Sequence, residues 1–128
     1  MIYLDSSVAL ALVLSEQRQP PDGFWGQRLA ASRLLQFEVW NRLSAYGSDE
    51  RRDSAARQLL ERVDYVEMTV QALARALSPF KVPVRTLDCL HLATMHYLGE
   101  RGASVTLASY DARLLSSAKA MGFETVSP

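Results

Sequence analysis

The sequence predicts an α/β fold in which a mostly parallel sheet is covered on both faces by helices. Two observations carry this. Short strand-like runs at residues 2–4, 29–31, 63–68, 105–108 and 123–126 alternate with stretches of helical periodicity, the pattern of strand-helix-strand units. No repeat, low-complexity tract or linker interrupts the alternation, and 128 residues suit one domain, residues 1–128, that buries roughly two thirds of its unfolded surface.

Taken in order, Ile2-Tyr3-Leu4 makes a short buried strand, and Ser6 to about Ser15 continues as a helix rich in Ala and Leu. Residues 16–26, with Pro20-Pro21-Asp22-Gly23, form a loop or broken turn. Phe24 and Trp25 fall in it, which suggests a satellite core or a partner contact. After the strand at 29–31, a helix runs from Ser32 or Arg33 to Tyr46, with Leu35, Val39, Leu43 and Tyr46 on one stripe, and Gly47 ends it. Asp49 to Arg62 is a charged amphipathic helix whose i, i+4 pairs favour an exposed face. A strand over 63–68, a helix over 70–77 and an irregular link, Pro79-Phe80-Lys81-Val82-Pro83, come next. Thr86 to about Gly99 is apolar nearly all round and is expected to be buried on most sides. A strand over 105–108, a helix from Ala112 to Met121 closed by Gly122, and an edge strand over 123–126 complete the chain.

Composition narrows the function. Hydrophobic residues make up 48% and charged residues 22%, an ordinary globular balance. Fourteen Lys+Arg offset fourteen Asp+Glu, so no long-range field draws a polyanion in, and any nucleic-acid contact must be local. The single Cys89 has no disulfide partner within the chain and sits among apolar residues, which suits a packed thiol in a reducing compartment. The apolar run from Val8 to Leu14 is too short to span a bilayer and follows an aspartate where a secretory signal carries basic residues. A cytoplasmic protein without membrane attachment is expected.

Right-handed strand-helix-strand units gather helix N-termini along the edge where strands finish, and such folds bind ligands there. Asp5 follows the first strand, Asp111 follows the strand ending near Ala108, and Asp88 lies in the first turn of the apolar helix. Glu38, in the second turn of its helix and about 8 Å from the start, has a side chain long enough to reach back. Each acid also has a bland use: Asp5 and Asp111 as N-caps, Asp88 as a partner of the helix dipole, Glu38 as a partner of Arg42. Together they repel, each pair by about 3 kcal/mol at roughly 5 Å and an effective dielectric of about 20. Capping does not require that cost, and a hard divalent cation, Mg²⁺ or Mn²⁺, removes it.

Four segments, Tyr3-Leu4-Asp5-Ser6-Ser7, Leu34-Leu35-Gln36-Phe37-Glu38, Arg85-Thr86-Leu87-Asp88-Cys89-Leu90-His91-Leu92-Ala93 and Leu107-Ala108-Ser109-Tyr110-Asp111-Ala112-Arg113-Leu114, resemble in order and spacing the PIN-domain nucleases. Length and layout are most similar to the VapC-type toxins of prokaryotic toxin-antitoxin pairs. The resemblance is vague over residues 16–28 and 47–83. It implies a three-layer α/β/α sandwich, a Mg²⁺- or Mn²⁺-dependent endoribonuclease, a homodimer, and inhibition by a cognate antitoxin. Carried over by position, Asp5, Glu38, Asp88 and Asp111 become the catalytic, metal-binding acids, and Ser7 and Ser109 become hydroxyls that orient a ligand or water. Arg113 stands where some members carry another acid, which bears on whether a second ion binds without substrate.

The chemistry this implies is metal-assisted phosphodiester hydrolysis, with no covalent enzyme intermediate and no Ser-His-Asp order to support one. His91, three residues after Asp88, falls on the apolar face and is expected to be packed or to act behind the ligands, and His96 has no role. Arg85, Arg113, Arg42 and Lys81 could meet RNA phosphates or an antitoxin, or be ordinary surface charge. Trp40 is expected to pack in the core. A PIN-like RNA- or protein-binding module with weak or no nuclease activity is the alternative. Receiver and haloacid-dehalogenase domains fit less well: the first needs paired acids after the first strand, and the second needs Asp where Ser7 stands. No Gly-rich phosphate loop or dinucleotide fingerprint is present.

Overall fold

The computed structural model describes the whole chain, Met1–Pro128. Five strands, β1 (Ile2–Leu4), β2 (Leu29–Ser32), β3 (Val63–Val66), β4 (Thr106–Ala108) and β5 (Glu124–Val126), form one sheet in the order β3-β2-β1-β4-β5, and every pairing is parallel. Six helices connect or flank them: α1 (Ser6–Val13), α2 (Leu34–Ser44), α3 (Glu50–Leu60), α4 (Val70–Leu77), α5 (Thr86–Glu100) and α6 (Ala112–Ala120). The strand order reverses direction between β1 and β4. A crevice therefore opens beyond their C-terminal ends, at the topological switch point of the sheet.

Side chains alternate across each strand, and the core divides accordingly. Ile2, Leu4, Leu29, Ala31, Val63 and Ala108 face α1, α2 and α3, where they pack with Val8, Leu35, Val39, Leu43, Ala56 and Leu59. Tyr3 and Leu107 point the other way, toward Leu92 and Met95 of α5 and Leu114 and Ala118 of α6. The three layers of the expected sandwich are thus present, with α4 packed on α5 rather than on the sheet.

Several expectations are corrected. Phe24 lies in a 3-10 turn over Asp22–Gly26 and is buried in the larger core, edge-on to Trp25, so it forms no satellite cluster. α2 starts at Leu34, because Ser32 Oγ accepts the Leu34 N–H at 3.2 Å and ends the strand-to-helix turn. Tyr46 lies beyond its last turn and is 56% exposed, so the buried stripe stops at Leu43. β3 ends at Val66 rather than 68. α5 is buried only through its middle, His91 to Met95, while Leu87 in its first turn is exposed. Cys89 is half-buried, its thiol directed at the Val84 carbonyl.

α1 ends in a six-residue wrap in which Ser15 N–H bonds Leu12 O and Glu16 N–H bonds Ala11 O. Ser15 takes the left-handed conformation (φ 51°) that glycine usually fills there. The turn delivers Glu16 to the rim of the crevice. No helix is long and apolar enough to cross a membrane.

Candidate active site

β1 hands the chain to α1 through Asp5, whose own N–H continues the ladder by bonding Ala108 O at 3.1 Å. That backbone bond fixes the carboxylate at the seam between β1 and β4. Asp5 is buried, and its Oδ2 accepts three bonds: from Ser7 N–H (3.3 Å), Ser7 Oγ (2.5 Å) and Ser109 Oγ (2.7 Å). Each hydroxyl also accepts a backbone N–H of the turn after β4, Ser7 Oγ from Tyr110 and Ser109 Oγ from Asp111, both at 2.9 Å. The proton of each serine is thereby committed to Asp5. With all three bonds on Oδ2, Oδ1 is left to the crevice, and a burial that would otherwise be costly is compensated.

Glu38 reaches the same crevice from α2. Ser6 Oγ donates to its Oε2 at 2.8 Å, and His91 Nε2 meets its Oε1. Burial pushes the Glu38 carboxyl up, but the hydrogen bond and charge of His91 and the Ser6 hydroxyl outweigh it, leaving the carboxyl below its usual value. Burial likewise pushes the His91 imidazolium down, and Glu38, with smaller contributions from Asp5 and Asp88, lifts it above the ordinary histidine value. The alternative pairing of Glu38 with Arg42 does not form; Arg42 lines the crevice instead.

Asp88 and Asp111 complete the acidic wall from the first turn of α5 and the N-cap of α6. Asp111 Oδ1 accepts Arg113 N–H (2.9 Å) and Leu114 N–H (3.3 Å), so its capping use is real. The Arg85 guanidinium bridges the two acids, with Nε 3.8 Å from Asp88 Oδ2 and Nη2 3.7 Å from Asp111 Oδ2. Burial, then the neighbouring Asp111, raise the Asp88 carboxyl above its ordinary value, against the pull of Arg85.

The structure brings Asp5, Ser7, Glu38, Asp88 and Asp111 to one cleft of about 540 Å³, with Arg42 and Arg85 on its wall. Ser109 stands behind Asp5. Arg113 lies outside it, in an adjoining groove shared with Arg85 and Asp88, and Lys81 is exposed and lines neither. Trp40 and Trp25 are half-buried against the larger core. Three participants have no role assigned from the sequence, two of them inside the first motif segment: Glu16, a fifth acid on the cleft wall; Ser6, the donor to Glu38; and Tyr3, whose hydroxyl bonds His91 Nδ1 at 2.9 Å.

The acidic donors are all carboxylate oxygens, the set a hard divalent cation selects over softer metals. As placed, no three Asp, Glu, His or Cys side chains form a group that could hold a metal ion. Arg85 supplies positive charge between Asp88 and Asp111. The donor chemistry fits a hard cation, and its binding calls for the exposed Arg85 side chain to give way.

A family model described as PIN domain matches residues 2–120. Ribonuclease VapC46 of Mycobacterium tuberculosis is 35% identical over 99% of this chain and 97% of its own length, and Ribonuclease VapC47 of the same species is 31% identical over 100% and 97%. Among solved structures, VapBC2 from Rickettsia felis bound to a DNA fragment from its promoter has a TM-score of 0.68 at 15% identity, with 98% of each chain covered. VapC20 of Mycobacterium tuberculosis, described as a sarcin-ricin loop cleaving toxin, has a TM-score of 0.60 at 19% identity and full coverage of both chains. At such identities the two structures speak for the fold.

Proposed function

The chain belongs to the PIN domain family, beside the VapC ribonucleases, and from that premise we propose that it is a metal-dependent endoribonuclease, the toxin of a VapBC-type pair. The observation that carries this reading is the cleft at the switch point of the sheet, walled by Asp5, Glu38, Asp88 and Asp111. Residues 1–128 act as one PIN-like domain. The partners are an RNA substrate, a cognate antitoxin and a second copy of the chain, and the setting is the cytoplasm.

Asp5, Asp88 and Asp111, with Glu38, would hold Mg²⁺ or Mn²⁺. A bound ion of this kind acidifies a water and neutralises a leaving oxygen. The chain's own contribution is positional. Ser7 and Ser109 hold Asp5 so that Oδ1 faces the cleft, and Ser6 and His91 hold both oxygens of Glu38. Asp88 is less constrained and can adjust to a cation and to the RNA phosphate beside it, while Asp111, tied through Oδ1 to the start of α6, offers Oδ2. Arg85 and Arg42, on the cleft wall, offer charge to the flanking phosphates once Arg85 leaves the acids, and Arg113 extends that track into the adjoining groove.

Purified protein incubated with structured RNA and Mn²⁺, alongside Asp5→Asn and Asp88→Asn, tests the reading. Cleavage by the wild type alone supports it. Equal cleavage by all three proteins means a contaminating nuclease and defeats it.

A further inference from the structure

Behind the cleft wall runs a line of polar groups that hydrolysis does not by itself require. Ser32 N–H of β2 donates to Tyr3 Oη at 3.1 Å, Tyr3 Oη bonds His91 Nδ1 at 2.9 Å, and His91 Nε2 meets Glu38 Oε1. Ser32 and Tyr3 are fully buried, and His91 is 2% exposed. An apolar residue could fill this space without the desolvation that a phenol and an imidazole bring, so their burial calls for a reason beyond packing. The line also has an unusual path. Tyr3 and His91 belong to the face covered by α5 and α6, whereas Glu38 comes from α2 on the opposite face, so the chain of bonds passes round the C-terminal end of the strands.

We propose that Tyr3 and His91 are positioning residues that set where the Glu38 carboxylate stands and, through it, how tightly the cleft holds a divalent cation. This rests on the reading of Glu38 as one of the ligands. The proton inventory makes the clamp independent of the charge on the ring. Tyr3 has one hydroxyl proton, and its oxygen already accepts Ser32 N–H. When His91 is neutral, that proton goes to Nδ1, so the ring hydrogen sits on Nε2 and points at Glu38. When His91 is an imidazolium, Nε2 still carries a hydrogen, and Tyr3 Oη accepts from Nδ1–H instead of donating to it. Glu38 meets a donor in both cases. With Ser6 Oγ on the other oxygen, each oxygen is held by one donor and keeps a lone pair for a cation.

The test measures Mn²⁺ affinity by calorimetry without RNA, and kcat and KM for RNA cleavage, on full-length variants. Tyr3→Phe and His91→Leu are expected to weaken Mn²⁺ binding about 10-fold and to lower kcat while leaving the KM for RNA unchanged. His91→Gln, which keeps an amide donor toward Glu38, is expected to recover part of what His91→Leu loses. In a Glu38→Gln background, Tyr3→Phe is expected to add nothing. A Tyr3→Phe protein that melts lower but binds Mn²⁺ like the wild type, while Glu38→Gln binds it weakly, overturns the positioning role. A Glu38→Gln protein with unchanged affinity and cleavage overturns the reading of Glu38 beneath it, and the proposal with it.

Discussion

The two sides of the acidic cleft are built differently. Asp5 and Glu38, on the inner side, are held by short bonds from groups that are themselves anchored: Ser7 and Ser109 to the turn after β4, His91 to Tyr3. Asp88 and Asp111, on the outer side, sit at helix starts and share one guanidinium at 3.7 to 3.8 Å from a side chain that is 61% exposed. An exposed pair of this kind contributes about 1 kcal/mol or less, whereas each charge-assisted bond to a buried carboxylate is worth about 1.5 to 3 kcal/mol. The contrast teaches a division of labour. The core fixes Asp5 and Glu38 so that they cannot follow the substrate, whereas Asp88 and the Oδ2 of Asp111, whose Oδ1 caps its helix, are held only by an exposed guanidinium and can.

The sharpest way to break this comparison is Asp5→Asn, which exchanges one carboxylate oxygen for an amide nitrogen in the rigid half. RNA cleavage is expected to fall to the background of the assay, and the melting temperature in chelator to fall only modestly, because the Asn oxygen still accepts from Ser7 and Ser109, now without charge assistance. Retained cleavage would mean that the inner side is scaffold only. Next, Ser109→Ala removes one donor from Asp5 and the acceptor of Asp111 N–H together, and a loss of about 10-fold in kcat is expected. Arg85→Ala addresses the outer side: stability in chelator should fall by no more than about 1 kcal/mol, and Mn²⁺ should restore it, as thermal melts would record. A larger loss would show that the outer side is as rigid as the inner.

The smallest effect concerns Asp88, whose carboxyl burial and Asp111 raise above its ordinary 3.8. A raised folded value means that the favourable contribution is present below 3.8 and lost as pH rises through the folded value. At pH 7 the ionised group is therefore a liability, and Asp88→Asn in chelator should melt at the same temperature as the wild type or slightly higher, the gap closing in acid. If the variant melts much lower at pH 7, Asp88 is a structural residue of α5.

Alternation of strand and helix, Gly47 and Gly122 as stops, and the acids following β1 and β4 were legible because each depends on neighbours a few residues apart. Gly47 and Gly122 do take positive φ. The convergence of four acids was legible only through topology, since parallel connections place strand ends on one edge. Other features depend on contacts across the chain. Nothing local distinguishes Ser6 from Ser7, yet one serves Glu38 and the other Asp5. Tyr3 reads as an ordinary buried strand residue until His91 is placed beside it, 88 positions away. Phe24 and Tyr46 depart from their local pattern for a related reason: a loop aromatic is swallowed by the core that happens to reach it, and a helical stripe ends where the neighbouring element does.

The strand order sets a schedule for synthesis. β1 is made first but lies in the middle of the sheet, and its partner β4 comes roughly a hundred residues later, Tyr3 pairing with Leu107. At the usual pace of translation, about 5 to 20 residues per second, the seam that seats Asp5 cannot close for roughly 5 to 20 s after its first strand is made. A chain made only as far as β3 holds Asp5 and Glu38 and lacks Asp88 and Asp111, so the four acids of the cleft come together only once α5, β4 and the start of α6 have been added.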